Sequence, residues 1–329
     1  MSKYKIPAYT IHDIGSAQSL SENYSWGQKD LKIPDVWKKT KGRGIVVAIL
    51  DSGCSIHPDL KDNIDYKLSR SFIPNEDIYD QYVGHGTHVA GIVAACLNES
   101  GVVGVAPEAK IVTVKVLGKN GFSVGNSIVQ GLDYCLEIKP DIVNMSLGGP
   151  CVTNQYDATH DRIKKLTEMG IIVICAAGND GTENILCPAQ YEEVIAVGSY
   201  SPATIRSRSL FSSYGESLDV MAPGEEIVST WLNGQFAALS GTSMACPFIS
   251  GIIALMLSYY KTQNEKLSVE MIKAKLISNC IDIGAKGKDK YTGWGIVNPE
   301  QIFLPLSDKP APVIPKKSLW KTVKSWFGK

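Results

Sequence analysis

Apolar residues between position 44 and about position 305 follow two alternating spacings. Five short runs rich in Val and Ile predict strands, at residues 45–50, 111–116, 141–147, 171–175 and 194–198. Between these runs, apolar residues recur at helical spacing, as at Ile128, Leu132 and Leu136. Strands that are apolar throughout and alternate with helices are typical of parallel βαβ units covered on both faces. The pattern therefore predicts an α/β fold of three layers, αβα, around a mostly parallel central sheet.

The two ends of the chain differ from this pattern and suggest three parts. Residues 1–21 form a polar N-terminal segment, residues 22–305 the main domain, and residues 306–329 a Pro-rich linker and a basic tail. In the tail, Leu319, Trp320, Val323, Trp326 and Phe327 fall near one helical face among lysines. Such a segment could dock on a partner or an anionic membrane surface, or be an ordinary flexible tail.

Composition and charge narrow the classes of function. The 33 basic and 33 acidic residues balance, so no global positive field indicates nucleic acid. Residues 1–7 lack the apolar stretch of a secretory signal, and we expect a cytoplasmic protein. The 8 cysteines lie far apart without a C-x-x-C pair, which argues against a zinc cluster and a disulfide framework. We expect mostly buried free thiols in a reducing compartment.

Three short motifs carry candidate chemistry. Asp51-Ser52-Gly53 follows the first strand, where an acid can serve a site or simply start a turn. His85 and His88 lie in a Gly-rich octet that opens an apolar helix; core histidines or a metal pair are the alternatives, but no carboxylate partner accompanies them.

The third motif, Gly241-Thr242-Ser243-Met244-Ala245, precedes the apolar stretch from Ile249 to Tyr260. Ser243 could be an N-cap, but Thr242 is also available to cap and would leave Ser243 free. A carboxylate, an imidazole and a hydroxyl are the groups that activated-serine chemistry requires.

These motifs, in the order Asp51, His85, Ser243, resemble the three signatures of the subtilase family over roughly residues 26–300. The resemblance implies a subtilisin-like fold and a serine endopeptidase in which His85 is the general base and His88 is structural. It implies that Asn179, in Ala177-Gly178-Asn179, is the side-chain donor to the oxyanion. Ser146, Leu147, Gly148, Ala176 and Gly178 would then bind an extended peptide substrate, with Leu186 near the base of an apolar specificity pocket.

The resemblance also implies a calcium ion held by the loop at residues 97–102. Asp59 and Asn98 are the candidate ligands, and Glu22 could approach them; an ordinary solvated turn is the alternative. Two departures from the family pattern are Phe248 after Pro247, and Cys246, which could make the enzyme sensitive to thiol reagents or be buried and inert.

The N-terminal segment is similar to the short element that opens the intracellular subtilisins, through Lys5-Ile6-Pro7-Ala8-Tyr9. That resemblance implies a zymogen in which residues 1–21 lie across the active site, with Pro7 a poor scissile position; a disordered tail is the alternative. The function alternatives are a non-catalytic binding module of the same shape and a dedicated maturation protease that cuts one partner. The sequence specifies neither the physiological substrate nor the oligomeric state.

Overall fold

The computed structural model describes residues 4–16, 22–151, 157–202 and 206–303. The predicted tail and linker at 306–329 lie outside these ranges, as do parts of the N-terminal segment. The described strands are β1 (Thr10–Ser16), β2 (Val46–Asp51), β3 (Arg70–Ser71), β4 (Lys110–Lys115), β5 (Ile142–Met145), β6 (Ile172–Ala176), β7 (Ile195–Tyr200), β8 (Val220–Pro223), β9 (Ile227–Thr230), β10 (Gln235–Ser240), β11 (Cys280–Ile281) and β12 (Ile296–Val297). The helices are α1 (Trp26–Asp30), α2 (Ile33–Val36), α3 (His85–Ala94), α4 (Ser127–Ile138), α5 (Ala158–Glu168), α6 (Thr242–Thr262) and α7 (Val269–Ser278), with a short 3₁₀ turn at Leu232–Gly234.

Nine strands form the central sheet, in the order β11-β12-β8-β7-β6-β5-β2-β4-β3. All neighbouring pairs are parallel except β11 with β12. Helices α3 and α6 contact each other and the central strands, while α4 and α5 contact each other, β2 and β6. The predicted three-layer α/β fold with a mostly parallel sheet is confirmed, and all five predicted strands are present to within a few residues.

Parallel pairing fixes where the polar motifs lie. Strand β2 runs in register with β4 from Val46 opposite Lys110 to Asp51 opposite Lys115, and β5 and β6 continue the sheet on its other side. Because these strands point the same way, the residues that follow their carboxyl ends share one edge. Asp51, Ser146 and Ala177 follow or close three neighbouring strands at that edge.

A second, three-stranded antiparallel sheet lies beside the first, in the order β1-β10-β9. Strand β1 comes from the N-terminal segment and pairs with β10 from Thr10 opposite Ser240 to Ser16 opposite Gln235. The sequence predicted a polar N-terminal segment at residues 1–21 and named no strand within it. The pairing with a strand more than 200 residues away gives part of that segment a strand conformation.

Helix α6 is the longest described helix and is buried along almost its whole length. By length and composition it could cross a membrane, and within the described residues it is the one helix of that kind. The helix packs against β2, β5, β6, β7 and β8. Its apolar side chains are therefore buried in the protein core.

His88 is buried in the same layer, on the second turn of α3. Its Nε2 lies 3.0 Å from the carbonyl oxygen of Ile227 and 2.9 Å from that of Ala237, so it can only donate there. Burial lowers the pKa of His88 from 6.5 to about 3. The neutral imidazole therefore links α3 to strands β9 and β10 of the small sheet.

We expect the free energy of unfolding to fall as the pH drops below 6.5. His88 is protonated near pH 6.5 in the unfolded chain but only near pH 3 in the folded chain. Between these values the free energy of unfolding falls by about 1.4 kcal/mol for each pH unit that the pH drops. Urea denaturation at pH 6.5 and 5 should show a loss of about 2 kcal/mol from this group.

His88→Gln should remove most of this pH dependence, and His160→Gln, on a partly exposed side chain, should not. A stability that is the same at pH 6.5 and 5 in the unsubstituted protein would contradict the expectation.

Candidate active site

Asp51 and His85 form a buried pair at the carboxyl edge of the sheet. Asp51 closes β2 and His85 opens α3. Asp51 Oδ1 lies 2.8 Å from His85 Nδ1, and the side chains are 1% and 0% exposed. Gly86 permits this approach, because a Cβ atom there would clash with the carbonyl oxygen of Gly53. The imidazole is thus oriented with Nδ1 toward Asp51, and Nε2 remains available to bond another group.

A polar network supports the turn that carries Asp51. The amide of Ser52 donates to Asp51 Oδ1 at 2.7 Å, and the Ser52 hydroxyl donates to Asp80 Oδ2 at 2.7 Å. The amide of Gly86 in turn donates to Ser52 Oγ at 3.0 Å, and the buried Lys115 Nζ donates to the Ser52 carbonyl at 2.8 Å. Burial raises the pKa of Asp80, and its hydrogen bonds and Lys115 oppose that rise. The strand end and the helix start are therefore held as one unit.

Ser243 is the second residue of α6, where backbone amides lack partners within the helix. Its hydroxyl donates to the carbonyl oxygen of Ser146 at 3.1 Å. His85 Nε2 has no hydrogen-bond partner in the described part of the chain. The structure therefore brings Asp51 and His85 into contact, while the Ser243 hydroxyl is turned to the strand end at Ser146. Catalytic hydrogen bonds are often long or poorly aligned until substrate binds.

Pro247 explains why Ser146 and Ser243 are joined. Proline has no N–H, so Pro247 cannot make the helical bond to the carbonyl four residues earlier, that of Ser243. The hydroxyl of Ser146 replaces it and donates to the Ser243 carbonyl at 3.0 Å. Asn144 Nδ2 donates to Ser146 Oγ at 3.0 Å and extends the chain of bonds into β5.

Asn179 follows β6 and is held by Thr242. Asn179 Oδ1 accepts from the Thr242 amide at 2.8 Å and from the Thr242 hydroxyl at 2.7 Å. The Thr242 hydroxyl also accepts from the amide of Gly178 at 3.1 Å. With its oxygen engaged, Asn179 directs Nδ2 into the cleft, where it donates to the carbonyl oxygen of Ala8 at 2.6 Å.

The sequence suggested Thr242 as a possible cap of helix α6, and that prediction is wrong. The N-cap is Gly241, without a side-chain cap bond. Thr242 orients Asn179 instead, and no local signal distinguishes the two roles because Asn179 lies 63 residues away.

Residues 4–6 of the chain lie as an extended strand in the cleft. The amide of Lys5 donates to the Gly148 carbonyl at 3.0 Å, and the Gly148 amide donates back to Lys5 at 2.9 Å. On the opposite edge the Ile6 amide donates to the Gly121 carbonyl at 3.0 Å. The ring of Tyr9 lies 5.3 Å from that of His85, and burial raises the pKa of Tyr9 to about 12, with the charges of Asp51 and Asp80 adding to the rise.

The predicted cleft residues line the space that this strand enters. Ser146, Leu147 and Gly148 follow β5, while Ala176 closes β6 just before Gly178. Leu186 packs between the two walls, because a Cβ atom on Gly148 would lie 2.8 Å from Leu186 Cδ1 and one on Gly178 would lie 3.0 Å from Leu186 Cγ. A cavity of about 410 Å³ continues from Ala8 and Leu186 toward Asp180.

The cysteines depart from expectation at this wall. Six of the eight are free, four of them buried, as predicted for the set, but Cys151 and Cys187 form a disulfide. Two backbone bonds between Gly149 and Cys187, at 2.9 and 3.0 Å, hold the same two loops together. Cys246 Sγ lies 3.3 Å from Asn144 Oδ1, and burial raises the pKa of its thiol, in agreement with an inert side chain.

The candidate calcium ligands lie together beyond the far end of α3. Asp59 Oδ2 accepts from the Val102 amide at 2.9 Å, and Asp59 Oδ1 lies 3.2 Å from the Asn98 side-chain amide. Glu22 Oε1 accepts from the Asn98 amide at 3.0 Å. Burial raises the pKa of Glu22, and the charges of Asp59 and Glu99 raise it further, against hydrogen bonds that lower it.

Comparison with known proteins gives a consistent picture. Residues 42–295, well over half of the chain, match the Subtilase family. The chain is 42% identical over 278 residues to "Intracellular serine protease" of Paenibacillus polymyxa, covering 81% of this chain and 83% of that protein. It is 42% identical over 289 residues to "Major intracellular serine protease" of Bacillus subtilis (strain 168), covering 84% and 88%. It is 36% identical over 281 residues to "Subtilisin BL" of Lederbergia lenta, covering 85% and 98%.

Thr242→Val should lower kcat for a peptide ester by roughly 10- to 100-fold, because the amide of Asn179 loses the hydroxyl that orients it. Thr242→Ser keeps the hydroxyl and should stay within a few-fold of the unsubstituted protein. Steady-state kinetics decide, and a Thr242→Val protein with unchanged kcat would contradict this role.

Proposed function

The chain belongs to the subtilase family, and from that membership we propose that it is a serine endopeptidase whose catalytic residues are Asp51, His85, Ser243 and Asn179. Two of the relatives named above are serine proteases by name, and the chain spans more than four fifths of each. The observation that carries the proposal is the chain's own residues 4–8, which lie in the cleft as a peptide with one carbonyl on Asn179.

The mechanism follows from the groups at the edge of the sheet. Once its hydroxyl turns from Ser146 to His85, Ser243 attacks the carbonyl carbon of the scissile bond while His85 Nε2 takes the hydroxyl proton. Asp51 on Nδ1 fixes the tautomer and stabilises the imidazolium. Asn179 Nδ2 and the Ser243 amide donate to the oxyanion. His85 then protonates the leaving amine, and water attacks the acyl enzyme by the same route in reverse.

We further propose that the N-terminal segment holds the enzyme as a zymogen. Backbone pairing to Gly148 and Gly121 occupies both edges of the cleft, and Tyr9 covers His85. The Ser243 hydroxyl is bonded to Ser146 rather than to His85. A peptide bound in this way excludes substrate while the Ser243 hydroxyl is not bonded to His85. Pro7 directly precedes Ala8, whose carbonyl oxygen accepts from Asn179.

The relatives named intracellular support a cytoplasmic location for the enzyme. The disulfide between Cys151 and Cys187 argues against a cytoplasmic location, because disulfides are rare in the reducing cytosol. The basic tail at residues 306–329 stays a prediction from sequence, as a candidate docking element.

A fluorophosphonate probe tests the enzyme and the zymogen together. We expect labelling at Ser243, mapped by mass spectrometry, at least tenfold faster in a form lacking residues 1–21 than in the intact chain. Ser243→Ala and His85→Ala should abolish labelling in both forms.

Equal labelling rates of the two forms would remove the zymogen proposal. No labelling of either folded form would favour the non-catalytic binding module, and digestion of a denatured protein at very few positions would favour a dedicated maturation protease.

We also propose that the loop around Asn98 holds a structural calcium ion. Glu22, Asp59 and the Asn98 side chain supply hard oxygen ligands of the kind calcium prefers. Within the described residues neither carboxylate pairs with Lys or Arg. No cluster of three His, Cys, Asp or Glu occurs in the described ranges, but calcium also draws ligands from backbone carbonyls. Bound there, the ion would neutralise the two acids and stiffen the loop after α3.

Calcium should therefore raise the melting temperature. An excess of about 100 times the dissociation constant stabilises by about 2.7 kcal/mol, which corresponds to several degrees. Differential scanning calorimetry in calcium and in EDTA measures the shift. Asp59→Asn should abolish it and the exposed Asp62→Asn should keep it. The same melting temperature under both conditions would contradict the site.

A further inference from the structure

A buried acid and a buried lysine lie beside the candidate active site, and the proposed mechanism uses neither of them. Asp80 is 1% exposed and Lys115 is 2% exposed. Both contact Ser52, which directly follows Asp51 in the chain. The Ser52 hydroxyl donates to Asp80 Oδ2 at 2.7 Å, and Lys115 Nζ donates to the Ser52 carbonyl at 2.8 Å. Burial of an ionisable group is costly, so both groups need a role that offsets this cost.

Asp80 is surrounded by hydrogen-bond donors. Its Oδ1 accepts from the amides of Tyr82 at 3.1 Å and Val83 at 2.8 Å, while its Oδ2 accepts from Ser52. Such a set of donors favours the ionised carboxylate, which accepts at both oxygens and donates at neither. These bonds and the charge of Lys115 oppose the rise in the pKa of Asp80 that burial causes. At neutral pH Asp80 therefore places a negative charge where water is largely excluded.

Two hydrogen bonds in series link this charge to the helix that begins with His85. The Ser52 hydroxyl has one hydrogen, which it donates to Asp80, so its oxygen is left to accept from the Gly86 amide at 3.0 Å. The Ser52 amide donates to Asp51 Oδ1 at 2.7 Å, and the same oxygen lies 2.8 Å from His85 Nδ1. Asp80 thus fixes the direction of the one hydroxyl that links the Asp51 turn to helix α3.

The other titratable groups around Asp51 and His85 are neutral or paired. Three side chains are kept neutral at pH 7 by burial: Tyr9 and Cys54, whose pKa values rise to about 12, and His88, whose pKa falls to about 3. Lys115 Nζ pairs with Glu76 Oε2 at 3.1 Å, and that carboxylate is 22% exposed. The two buried acids, Asp51 and Asp80, therefore provide negative charge beside the imidazole.

We propose that Asp80 is a positioning residue of the peptidase, and that its buried charge stabilises the imidazolium that His85 becomes during proton transfer. The proposal rests on the proposed function, because it takes His85 to be the general base. A negative charge close to an imidazolium favours the protonated ring, and it does so more strongly where water screens it little. Ser52 carries the geometric part of the effect, because it joins Asp80 to both Asp51 and the start of α3.

The test follows the acid side of the pH profile in the full chain. The rate of fluorophosphonate labelling at Ser243 is measured between about pH 5 and 9 for the unsubstituted protein and for Asp80→Asn. Asn keeps the shape but removes the charge that favours the imidazolium. We therefore expect the midpoint of the acid limb to move to lower pH by about 0.5–1 unit and the plateau rate to fall about tenfold. A closed fraction that both proteins share scales the whole profile and leaves its midpoint unchanged.

Two further variants separate the charge from the shape of Asp80. Asp77→Asn is the matched control, because it removes an exposed carboxylate from the same loop that accepts from the Tyr79 amide at 2.9 Å. Its midpoint should stay within about 0.2 unit of the unsubstituted value. Glu76→Gln leaves the Lys115 ammonium without its partner. The added positive charge should move the midpoint to lower pH, in the same direction as Asp80→Asn.

The outcomes distinguish a role of the Asp80 charge from a role of its shape. A fall in the plateau rate without movement of the midpoint would overturn the proposal, and so would an equal movement in Asp77→Asn. If circular dichroism shows that Asp80→Asn does not fold, Glu76→Gln decides, and an unmoved midpoint there also overturns the proposal. Absence of labelling in the unsubstituted full chain would instead overturn the peptidase, and the role of Asp80 with it.

Discussion

The site depends on one hydrogen bond that is missing from helix α6 and is replaced from outside the helix. Pro247 removes the helical partner of the Ser243 carbonyl, and the Ser146 hydroxyl supplies a new one at 3.0 Å. A buried carbonyl without a partner would cost about 1–3 kcal/mol, so the position of Ser146 matters to the fold as well as to the cleft. Through this bond the segment after β5, which pairs with Lys5, and helix α6, which carries the proposed nucleophile Ser243, are fixed to each other. Because α6 also contacts five strands of the central sheet, it holds them in place relative to the same point.

Local pattern was sufficient for five of the nine strands of the central sheet; β3, β8, β11 and β12 were not predicted. The strands β2, β4 and β6 are runs of β-branched and small apolar residues with burial on both faces, and such runs have few other conformations open to them. The candidate site could be predicted because each motif follows a strand or opens a helix. Asp51 and His85 are 34 residues apart, and they meet because β2 ends where α3 begins, at one edge of the sheet. The proposed roles of Asn179 and of the predicted cleft residues came from the resemblance to subtilases and not from the spacing of residues in the sequence.

Long-range pairings are what the sequence did not disclose. Strand β1 is polar and becomes a strand only through β10. The Cys151–Cys187 bond joins residues 36 apart, and pairings among eight cysteines cannot be deduced from their spacing. The role of Thr242 and the hydrogen bond from Tyr191 to Asp157 likewise depend on side chains that are far apart in the sequence. These features surround the cleft, where loops rather than strands decide which groups meet.

The pairing of β1 with β10 has a kinetic consequence. As long as residues 4–16 are part of the chain, β1 tethers the cleft-binding residues at an effective concentration in the millimolar range, independent of how dilute the protein is. A single cut between cleft and tether turns that intramolecular ligand into a free peptide at the concentration of the enzyme itself. In the proposed zymogen, release would then be a one-way step, because dilution alone would separate the cut segment from the cleft.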